Sequence, residues 1–310
     1  MKIWIADRLG PEAASLLTQA GYEVVERSGL AGVELGRALA GADALLVRGA
    51  TKVTREVLAS ANGLRAVARA GSGVDNIDLD ACREKGVAVF NAPGANAVSV
   101  AEHAWALILA LFRHVPAAAA SMAAGRWEKN ELGGREVRGK TLGVVGFGRI
   151  GQEVARLGLA FGCHVLGQDP LVDAARAVPG AAAASLDDLL AASDIVSLHA
   201  PLVPETRGLL SAERLSRMKP GAVLVNCARG ALVDEAALEA ALAQGRLGGA
   251  GLDVFQAEPP GDRPLLHLAN VVATPHVAAS TPEAQTRAGI EAASALRDFL
   301  ATGVAPGRVA

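Results

Sequence analysis

The 310-residue sequence has few cysteines, few aromatic residues and no excess of charge of either sign. Its three cysteines, Cys82, Cys163 and Cys227, lack CxxC spacing, which argues against a disulfide-rich scaffold or a cysteine zinc site. Lysine and arginine number 30 against 32 aspartate and glutamate residues, so the net charge of −2 disfavours nucleic acid as a partner. We therefore expect no metal site and no nucleic-acid partner.

Long apolar runs are also missing. The most apolar stretch, residues 105–112, is far shorter than the roughly 20 residues that cross a bilayer. The opening segment MKIWIADRLG interrupts its apolar run at Asp7 and Arg8 before an export signal can form. These features predict no membrane partner, and together with the unpaired cysteines they favour a cytoplasmic location.

Short runs rich in valine, isoleucine and leucine recur along the chain, each followed by an amphipathic segment. Strands that are apolar on both faces belong in parallel sheets covered by helices. A first series occupies residues 2–6, 22–25, 44–47, 65–70 and 87–90, and a second occupies 141–146, 164–168, 194–200, 222–228, 249–254 and 270–275. The sequence thus predicts an α/β fold of two doubly wound, parallel-sheet domains.

Two helical patterns lie outside this alternation. Residues 98–124 read as one long helix between the two series, and Ser99 and Glu102 have capping-box spacing at its start. Residues 281–300 read as a final helix that breaks at Gly303. Since no strand accompanies it, we expect this helix to pack on the first domain.

A glycine-rich turn follows the first strand of the second series. Gly146, Gly148 and Gly151 form a GxGxxG motif that opens a helical segment, and Asp169 stands 18 residues beyond the last glycine, at the end of the next strand. In this context the motif is the fingerprint of a dinucleotide-binding Rossmann domain. Asp169 would accept hydrogen bonds from ribose hydroxyls and would repel a 2′-phosphate, so the sequence favours NAD over NADP.

Three polar residues follow strands of the second series: Arg229 in NCARG, Glu258 in FQAEPP and His276 in ATPH. Taken singly, each is more simply explained as a loop residue or a surface charge. Ligands of open parallel sheets bind at the carboxyl ends of strands, however, where the three can converge. An arginine can hold the carboxylate of a 2-oxo acid, a histidine can transfer the hydroxyl proton, and a glutamate can orient the imidazole.

Several motifs carry a family resemblance. The segments GFGRIG, LHAPLVPETRGLL, NCARGALVDEAAL, GAGLDVFQAEPP and TPHVAASTPEAQ closely resemble the D-isomer-specific 2-hydroxyacid dehydrogenases. In the N-terminal half, LVRGATKVTREVL, ARAGSGVDNIDLDA and SMAAGRWE are most similar to members that oxidise D-3-phosphoglycerate. The resemblance implies a flavodoxin-like substrate domain, residues 1–94 and 282–310, into which a Rossmann NAD-binding domain, residues 95–281, is inserted.

The resemblance also implies roles for individual residues. It assigns catalysis to Arg229, Glu258 and His276. It assigns cofactor contacts to the three motif glycines and to Ser72, Arg149, Ile150, Asp169, Ala200, Pro201, Cys227, Ala228 and Asp253. Arg149 and Ile150 would contact the pyrophosphate, Cys227 and Ala228 would approach the nicotinamide, and Asp253 would hold its carboxamide.

Substrate-binding candidates lie mainly in the N-terminal half. Ser72 and Gly73 form a turn whose backbone amides suit a carboxylate, and Arg48 and Arg69 are candidates for a substrate phosphate, beside Arg229 for the carboxylate. Lys52 is more simply a surface charge. Position 49 is glycine where the phosphoglycerate-oxidising members often have a small hydroxyl residue, which removes one possible phosphate donor.

We therefore expect an NAD-dependent enzyme that oxidises D-3-phosphoglycerate to 3-phosphohydroxypyruvate, the entry step of serine biosynthesis. A reductase of glyoxylate, hydroxypyruvate or another 2-oxo acid is the alternative, and an NAD-sensing binding protein without turnover is a more remote one. The resemblance implies a homodimer, formed through residues 105–112 and the segment around Trp127. Because the sequence ends ten residues after the last helix, we also expect no regulatory domain and no inhibition by serine.

Overall fold

The computed structural model describes residues 1–310, which divide into two compact units. Unit 1 contains residues Met1–Asn96 and Ala279–Ala310, and unit 2 contains Ala97–Ala278. Both ends of the chain therefore build unit 1. No single helix is both long and apolar enough to cross a membrane, although two consecutive helices separated by a 65° bend meet the length and composition criteria as a pair.

Each unit is built on one parallel sheet, and every strand pairing is parallel. The strands of unit 1 are β1 (Lys2–Ile5), β2 (Glu23–Glu26), β3 (Ala44–Val47), β4 (Ala66–Arg69) and β5 (Ala88–Phe90). The strands of unit 2 are β6 (Thr141–Val145), β7 (His164–Gln168), β8 (Ala181–Ala183), β9 (Ile195–Leu198), β10 (Val223–Asn226), β11 (Gly249–Leu252) and β12 (Val271–Ala273).

The helices cover both faces of these sheets. They are α1 (Pro11–Gln19), α2 (Gly32–Ala38), α3 (Arg55–Ser60), α4 (Leu79–Lys85), α5 (Ala97–Phe112), α6 (Val115–Ala123), α7 (Arg149–Ala160), α8 (Ala174–Ala177), α9 (Leu186–Ala192), α10 (Ala212–Arg217), α11 (Glu235–Ala243), α12 (Pro264–His267) and α13 (Pro282–Thr302).

Strand order identifies both architectures. The sheet of unit 1 runs β2-β1-β3-β4-β5, which is the flavodoxin-like order. The sheet of unit 2 runs β12-β11-β10-β9-β6-β7-β8, which is the Rossmann order extended by a seventh strand. The predicted fold class, two doubly wound parallel-sheet domains, is confirmed.

The core of unit 1 shows why its strands are apolar on both faces. Along β3, Ala44 and Leu46 pack into the cluster beneath α1 and α13, while Leu45 and Val47 pack into the cluster on the opposite face. The final helix α13 therefore covers one face of this sheet. Its start is capped by Thr281, whose side chain accepts a hydrogen bond from the Ala284 amide, and its end lies at Gly303 in a left-handed conformation.

The predicted helix over 98–124 is wrong in one respect, because two helices replace it. The chain turns at His114, which has a φ of 52°, and α6 then starts with Pro116 near its first position, where a proline needs no amide partner. The predicted capping box also fails. Helix α5 already begins at Ala97, so Ser99 is a buried residue inside the helix.

Candidate active site

Arg229, Glu258 and His276 follow three neighbouring strands of unit 2. Arg229 comes after β10, Glu258 after β11 and His276 after β12, and these strands are adjacent in the sheet. Because the strands are parallel, their carboxyl ends lie at one edge of the sheet. The loop after β10 also packs closely against the loop after β11. Gly230, next to Arg229, leaves no room for a side chain, because a Cβ on it would lie 1.9 Å from the backbone carbon of Phe255.

His276 and Glu258 form a direct pair. The imidazole Nδ1 lies 2.8 Å from Glu258 Oε2, and Glu258 Oε1 accepts a hydrogen bond from the Phe255 amide at 3.1 Å. A carboxylate can only accept, so Nδ1 must carry the proton. In a neutral imidazole the lone pair is then on Nε2, which leaves that atom as the base. Both side chains are partly exposed, at 51% for His276 and 38% for Glu258.

His276 also has an unusual backbone. Its φ of 53° is in the left-handed region, which costs a non-glycine residue about 1–3 kcal/mol and persists only where surrounding contacts impose it. Its amide donates to the backbone oxygen of Asp253 at 2.9 Å. Asp253 therefore contributes to fixing the turn that presents the imidazole.

The loop that carries Arg229 is held by Asn226, which is buried at the end of β10. Asn226 Oδ1 accepts from the Ala228 amide at 3.0 Å, and its Nδ2 donates to the Arg229 backbone oxygen at 3.0 Å. The guanidinium of Arg229 donates to the Ala228 oxygen at 2.7 Å. Asn226 is not among the residues predicted from the sequence, although an asparagine directly before a strand-end loop is a recognisable signal.

The three motif glycines each meet a different structural requirement. Gly146 has a φ of 87°, and a Cβ on it would lie 2.4 Å from the Ala200 amide nitrogen. A Cβ on Gly151, in the first turn of α7, would lie 2.1 Å from the Gly146 oxygen. A Cβ on Gly148 would meet no atom within 4 Å. Gly148 thus faces open space at the start of α7, where the motif places a pyrophosphate.

Asp169 lies one residue after β7, and its carboxylate is already partly used. Oδ2 accepts from the Phe147 amide of the glycine-rich loop at 2.8 Å, and Oδ1 accepts from the amides of Leu171 and Val172 at 2.8 and 3.1 Å. A carboxylate has about four acceptor positions, so one remains on Oδ2 for a ribose hydroxyl. Asp169 therefore shapes the loop as well as being available to a ligand.

Further predicted cofactor residues lie around the same sheet edge. Arg149 and Ile150 open α7, whose first amides have no partner within the helix. Ala200 and Pro201 follow β9, and Cys227 and Ala228 follow β10. Burial raises the pKa of the Cys227 thiol, and the nearby Asp253 carboxylate raises it further. The thiol is therefore protonated and unreactive, and this cysteine can serve only as a packing surface.

The Asp253 side chain is completely buried. Burial on its own would raise its pKa, but hydrogen bonds from His103, Thr274 and the amides of Val277 and Ala278 outweigh this and hold the pKa below its usual value. These contacts are all within the protein. The proposed contact of Asp253 with a nicotinamide carboxamide stays a prediction.

In unit 1 the loop after β3 presents Arg48. Asp7, two residues after β1, accepts from the amides of Arg48 and Thr51 and from the Thr51 hydroxyl. On the other side, Arg69 Nε and Asn76 Nδ2 both donate to the Arg48 backbone oxygen, at 2.9 and 3.1 Å. The Arg48 backbone is thus held on both sides, whereas no hydrogen bond or ion pair engages its guanidinium. Arg69 in turn serves to hold the loop.

The turn after β4 contains Ser72 and Gly73. Neither amide donates to another backbone group of the chain. The Ser72 hydroxyl, however, donates to Asn96 Oδ1 at 2.7 Å. The predicted anion-binding amides are therefore available, while the hydroxyl is already engaged within unit 1.

Glu235 is a second structural residue that was not predicted from the sequence. It is buried at the start of α11, where Oε1 accepts from the Gln256 amide at 2.7 Å and Oε2 pairs with Arg263 at 2.6 Å. Both partners flank the loop that carries Glu258. This pairing joins residues more than 20 positions apart, so no local pattern could have indicated it.

Comparison with known proteins agrees with this geometry. Residues 105–278, more than half of the chain, match the model of the D-isomer specific 2-hydroxyacid dehydrogenase NAD-binding domain. The chain belongs to the D-isomer specific 2-hydroxyacid dehydrogenase family. Unit 2 is its NAD-binding domain, and the open approach to Gly148 and the free acceptor position on Asp169 fit that cofactor.

Individual relatives of this dehydrogenase family extend the match to the whole chain. D-3-phosphoglycerate dehydrogenase of Mycobacterium bovis is 50% identical over 99% of the chain, which spans about 58% of that relative. The solved structure of TT0316 protein from Thermus thermophilus is 40% identical with a TM-score of 0.90 over 100% of both chains. A glyoxylate reductase from Paecilomyes thermophila is 30% identical with a TM-score of 0.90, covering 99% of this chain and 97% of that one.

Proposed function

We propose that this protein oxidises D-3-phosphoglycerate to 3-phosphohydroxypyruvate with NAD. The observation that carries the chemistry is the 2.8 Å contact between His276 Nδ1 and Glu258 Oε2, which leaves Nε2 as a base at the edge of the NAD-binding sheet. The choice of substrate is supported by the 50% identity to a D-3-phosphoglycerate dehydrogenase and by the unengaged guanidinium of Arg48.

In this proposal the protein groups divide the work. Arg229 binds the substrate carboxylate by charge-assisted hydrogen bonds and polarises the carbonyl of the 2-oxo acid. His276 Nε2 accepts the proton of the 2-hydroxyl, and Glu258 stabilises the imidazolium that forms. Bound NAD supplies the acceptor for the hydride that leaves the carbon bearing that hydroxyl. Arg48 binds the phosphate dianion.

A reductase of glyoxylate or hydroxypyruvate is the second candidate. It is favoured by the likeness to the glyoxylate reductase and by Gly49, which offers no side-chain donor to a phosphate. The two candidates share the same catalytic residues. They differ in whether the substrate phosphate contributes to binding.

A substrate panel separates the candidates. We expect D-3-phosphoglycerate with NAD to give a far higher kcat/KM than D-glycerate or D-lactate, measured by absorbance of the reduced nicotinamide. Rapid reduction of glyoxylate without activity on 3-phosphohydroxypyruvate would instead favour the second candidate. A chain that binds NADH but turns over no 2-hydroxy acid would be a binding protein.

The catalytic assignment is tested by His276→Asn. Loss of general acid–base catalysis should lower kcat by about 10²–10⁴-fold while the Kd for NADH stays unchanged. The matched control is His267→Asn, because His267 is an exposed histidine that pairs with Asp262 and ends α12, before β12 begins. Activity of His276→Asn within tenfold of the parent enzyme would refute the assignment.

We also propose a homodimer, formed through α6 and the segment that follows it. Of the nine mostly apolar residues of α6, only Ser121 is buried. Met122 is 59% exposed and Trp127 is 77% exposed. The predicted contribution of residues 105–112 is corrected, because Trp105, Ile108 and Phe112 are buried within unit 2.

A further inference from the structure

Three groups outside the proposed catalytic set converge on the turn that carries His276. Asp253 follows β11, Thr274 follows β12, and His103 lies on α5. Asp253 is fully buried, and His103 is 22% exposed. Neither His103 nor Thr274 has a role in the mechanism proposed above.

The Asp253 carboxylate accepts hydrogen bonds from the turn just beyond His276. Oδ1 accepts from the Val277 amide at 2.9 Å and Oδ2 accepts from the Ala278 amide at 2.9 Å. The Asp253 backbone oxygen accepts from the His276 amide itself. Three consecutive amides of the turn are therefore held by one residue.

The hydrogen bonds continue through Thr274 to α5. Thr274 Oγ1 donates its proton to Asp253 Oδ1 at 2.6 Å. A hydroxyl has one proton, so towards His103 the Thr274 oxygen can only accept. His103 Nε2, which is 3.0 Å from Thr274 Oγ1 and 3.5 Å from Asp253 Oδ1, must therefore be the donor.

This hydrogen-bond network holds the turn at His276, where the backbone conformation is unfavourable. Its left-handed φ of 53° is unfavourable for a histidine, and such a conformation persists only when surrounding contacts over-determine it. The carboxylate can hold the amides only while it keeps its own orientation. Thr274 and His103 supply that orientation on the side of the carboxylate that faces α5.

We propose that His103, acting through Thr274 and Asp253, is a positioning residue for the His276 imidazole. The proposal rests on the function proposed above, in which His276 transfers the proton. This positioning role and a cofactor contact have different effects on the kinetics when they are lost. Loss of a nicotinamide contact would weaken dinucleotide binding, whereas loss of positioning should slow proton transfer and leave dinucleotide binding intact.

The test uses His103→Leu and His103→Gln in the full chain. The leucine variant has no donor for Thr274, and we expect kcat to fall about 10- to 100-fold, since a 1 Å misplacement of a reacting group can cost about 100-fold. The Kd for NADH should change less than twofold. The glutamine variant can still donate from its amide, so it should recover most of the lost rate.

Glu102→Gln is the matched control, since Glu102 is an exposed neighbour on α5. In the cofactor-free chain, the His276 imidazole resonances should shift in His103→Leu and stay in place in Glu102→Gln. This NMR measurement does not depend on turnover. Unchanged His276 resonances together with an unchanged kcat would overturn the proposal.

Two further outcomes decide the remaining cases. A raised Kd for NADH with unchanged kcat would overturn positioning in favour of a cofactor role. If His103→Leu does not fold, Thr274→Ser and Thr274→Val replace it, and equal rates in these two would overturn the proposal. A parent chain without turnover would refute the proposed function and this inference together, whereas an active parent with an unaffected His103→Leu refutes the inference alone.

Discussion

At the scale of single residues, the proposed contact between Arg48 and a substrate phosphate is open to a direct test. Its backbone is fixed by Asp7, Arg69 and Asn76, so replacing the side chain should leave the loop intact. We expect Arg48→Ala to raise the KM for D-3-phosphoglycerate roughly 100-fold, equivalent to about 2–3 kcal/mol for a charge-assisted contact. An unphosphorylated 2-hydroxy acid should be affected little.

The matched control for that measurement is Lys52→Ala, which removes an exposed charge four positions along the chain. Steady-state kinetics on phosphorylated and unphosphorylated substrates provide the comparison. Equal losses on both substrates in Arg48→Ala would mean that Arg48 supports the fold or binds the carboxylate.

His199 gives the chain a pH-dependent stability. Its Nδ1 is buried without a hydrogen-bond partner, and burial lowers its pKa to about 3 from an ordinary value of 6.5. Below pH 6.5 His199 therefore binds a proton in the unfolded chain but stays neutral in the folded chain. The free energy of unfolding is unaffected by His199 above pH 6.5, and it decreases by about 1.4 kcal/mol per pH unit as the pH falls from 6.5 towards 3.

Between pH 7 and pH 5 the parent protein should lose about 2 kcal/mol more unfolding free energy than His199→Gln. Urea denaturation at the two pH values measures this difference. His164→Gln, at an exposed histidine that begins β7, should follow the parent. Identical pH dependence in the parent and His199→Gln would contradict the prediction.

At the scale of elements, two glycines in the turn from β6 into α7 have different roles. Gly151 is required by packing within the chain, whereas Gly148 leaves space for a ligand. Gly151→Ala places a Cβ against the Gly146 oxygen and should cost about 1–3 kcal/mol of stability or more. A Cβ in Gly148→Ala meets no neighbour, so the variant should keep the parent melting temperature. Its methyl group would enter the space where the motif predicts the pyrophosphate, and it should raise the Kd for NADH at least tenfold. Melting curves and NADH titration test both variants.

The prediction for this turn is wrong if Gly151→Ala has the melting temperature of the parent or if Gly148→Ala binds NADH as tightly as the parent does.

Elements were predictable from the sequence where the local pattern was strong, as in the strands rich in valine and leucine. Strand β8 was missed because its sequence is a run of alanines, which favours helix, whereas pairing with β7 decides its conformation.

At the scale of the whole molecule, the exposed apolar residues of α6 and Trp127 are the basis of the proposed dimer. We expect a dimer by light scattering at micromolar concentration, and a shift towards monomer in Trp127→Glu, because a buried charge opposes association. The control is Leu171→Glu, since Leu171 is 92% exposed in the loop after β7. A monomeric parent protein would refute the dimer.

The sequence by itself determined every sheet strand except β8, the glycine-rich turn and the three polar residues at strand ends. These are local patterns, and a parallel sheet necessarily gathers the carboxyl ends of its strands at one edge. Only the tertiary structure decided how the ends are held. His103 and Thr274 lie 171 residues apart, and both contact Asp253, which accepts hydrogen bonds from the turn at His276. No local pattern encodes that meeting.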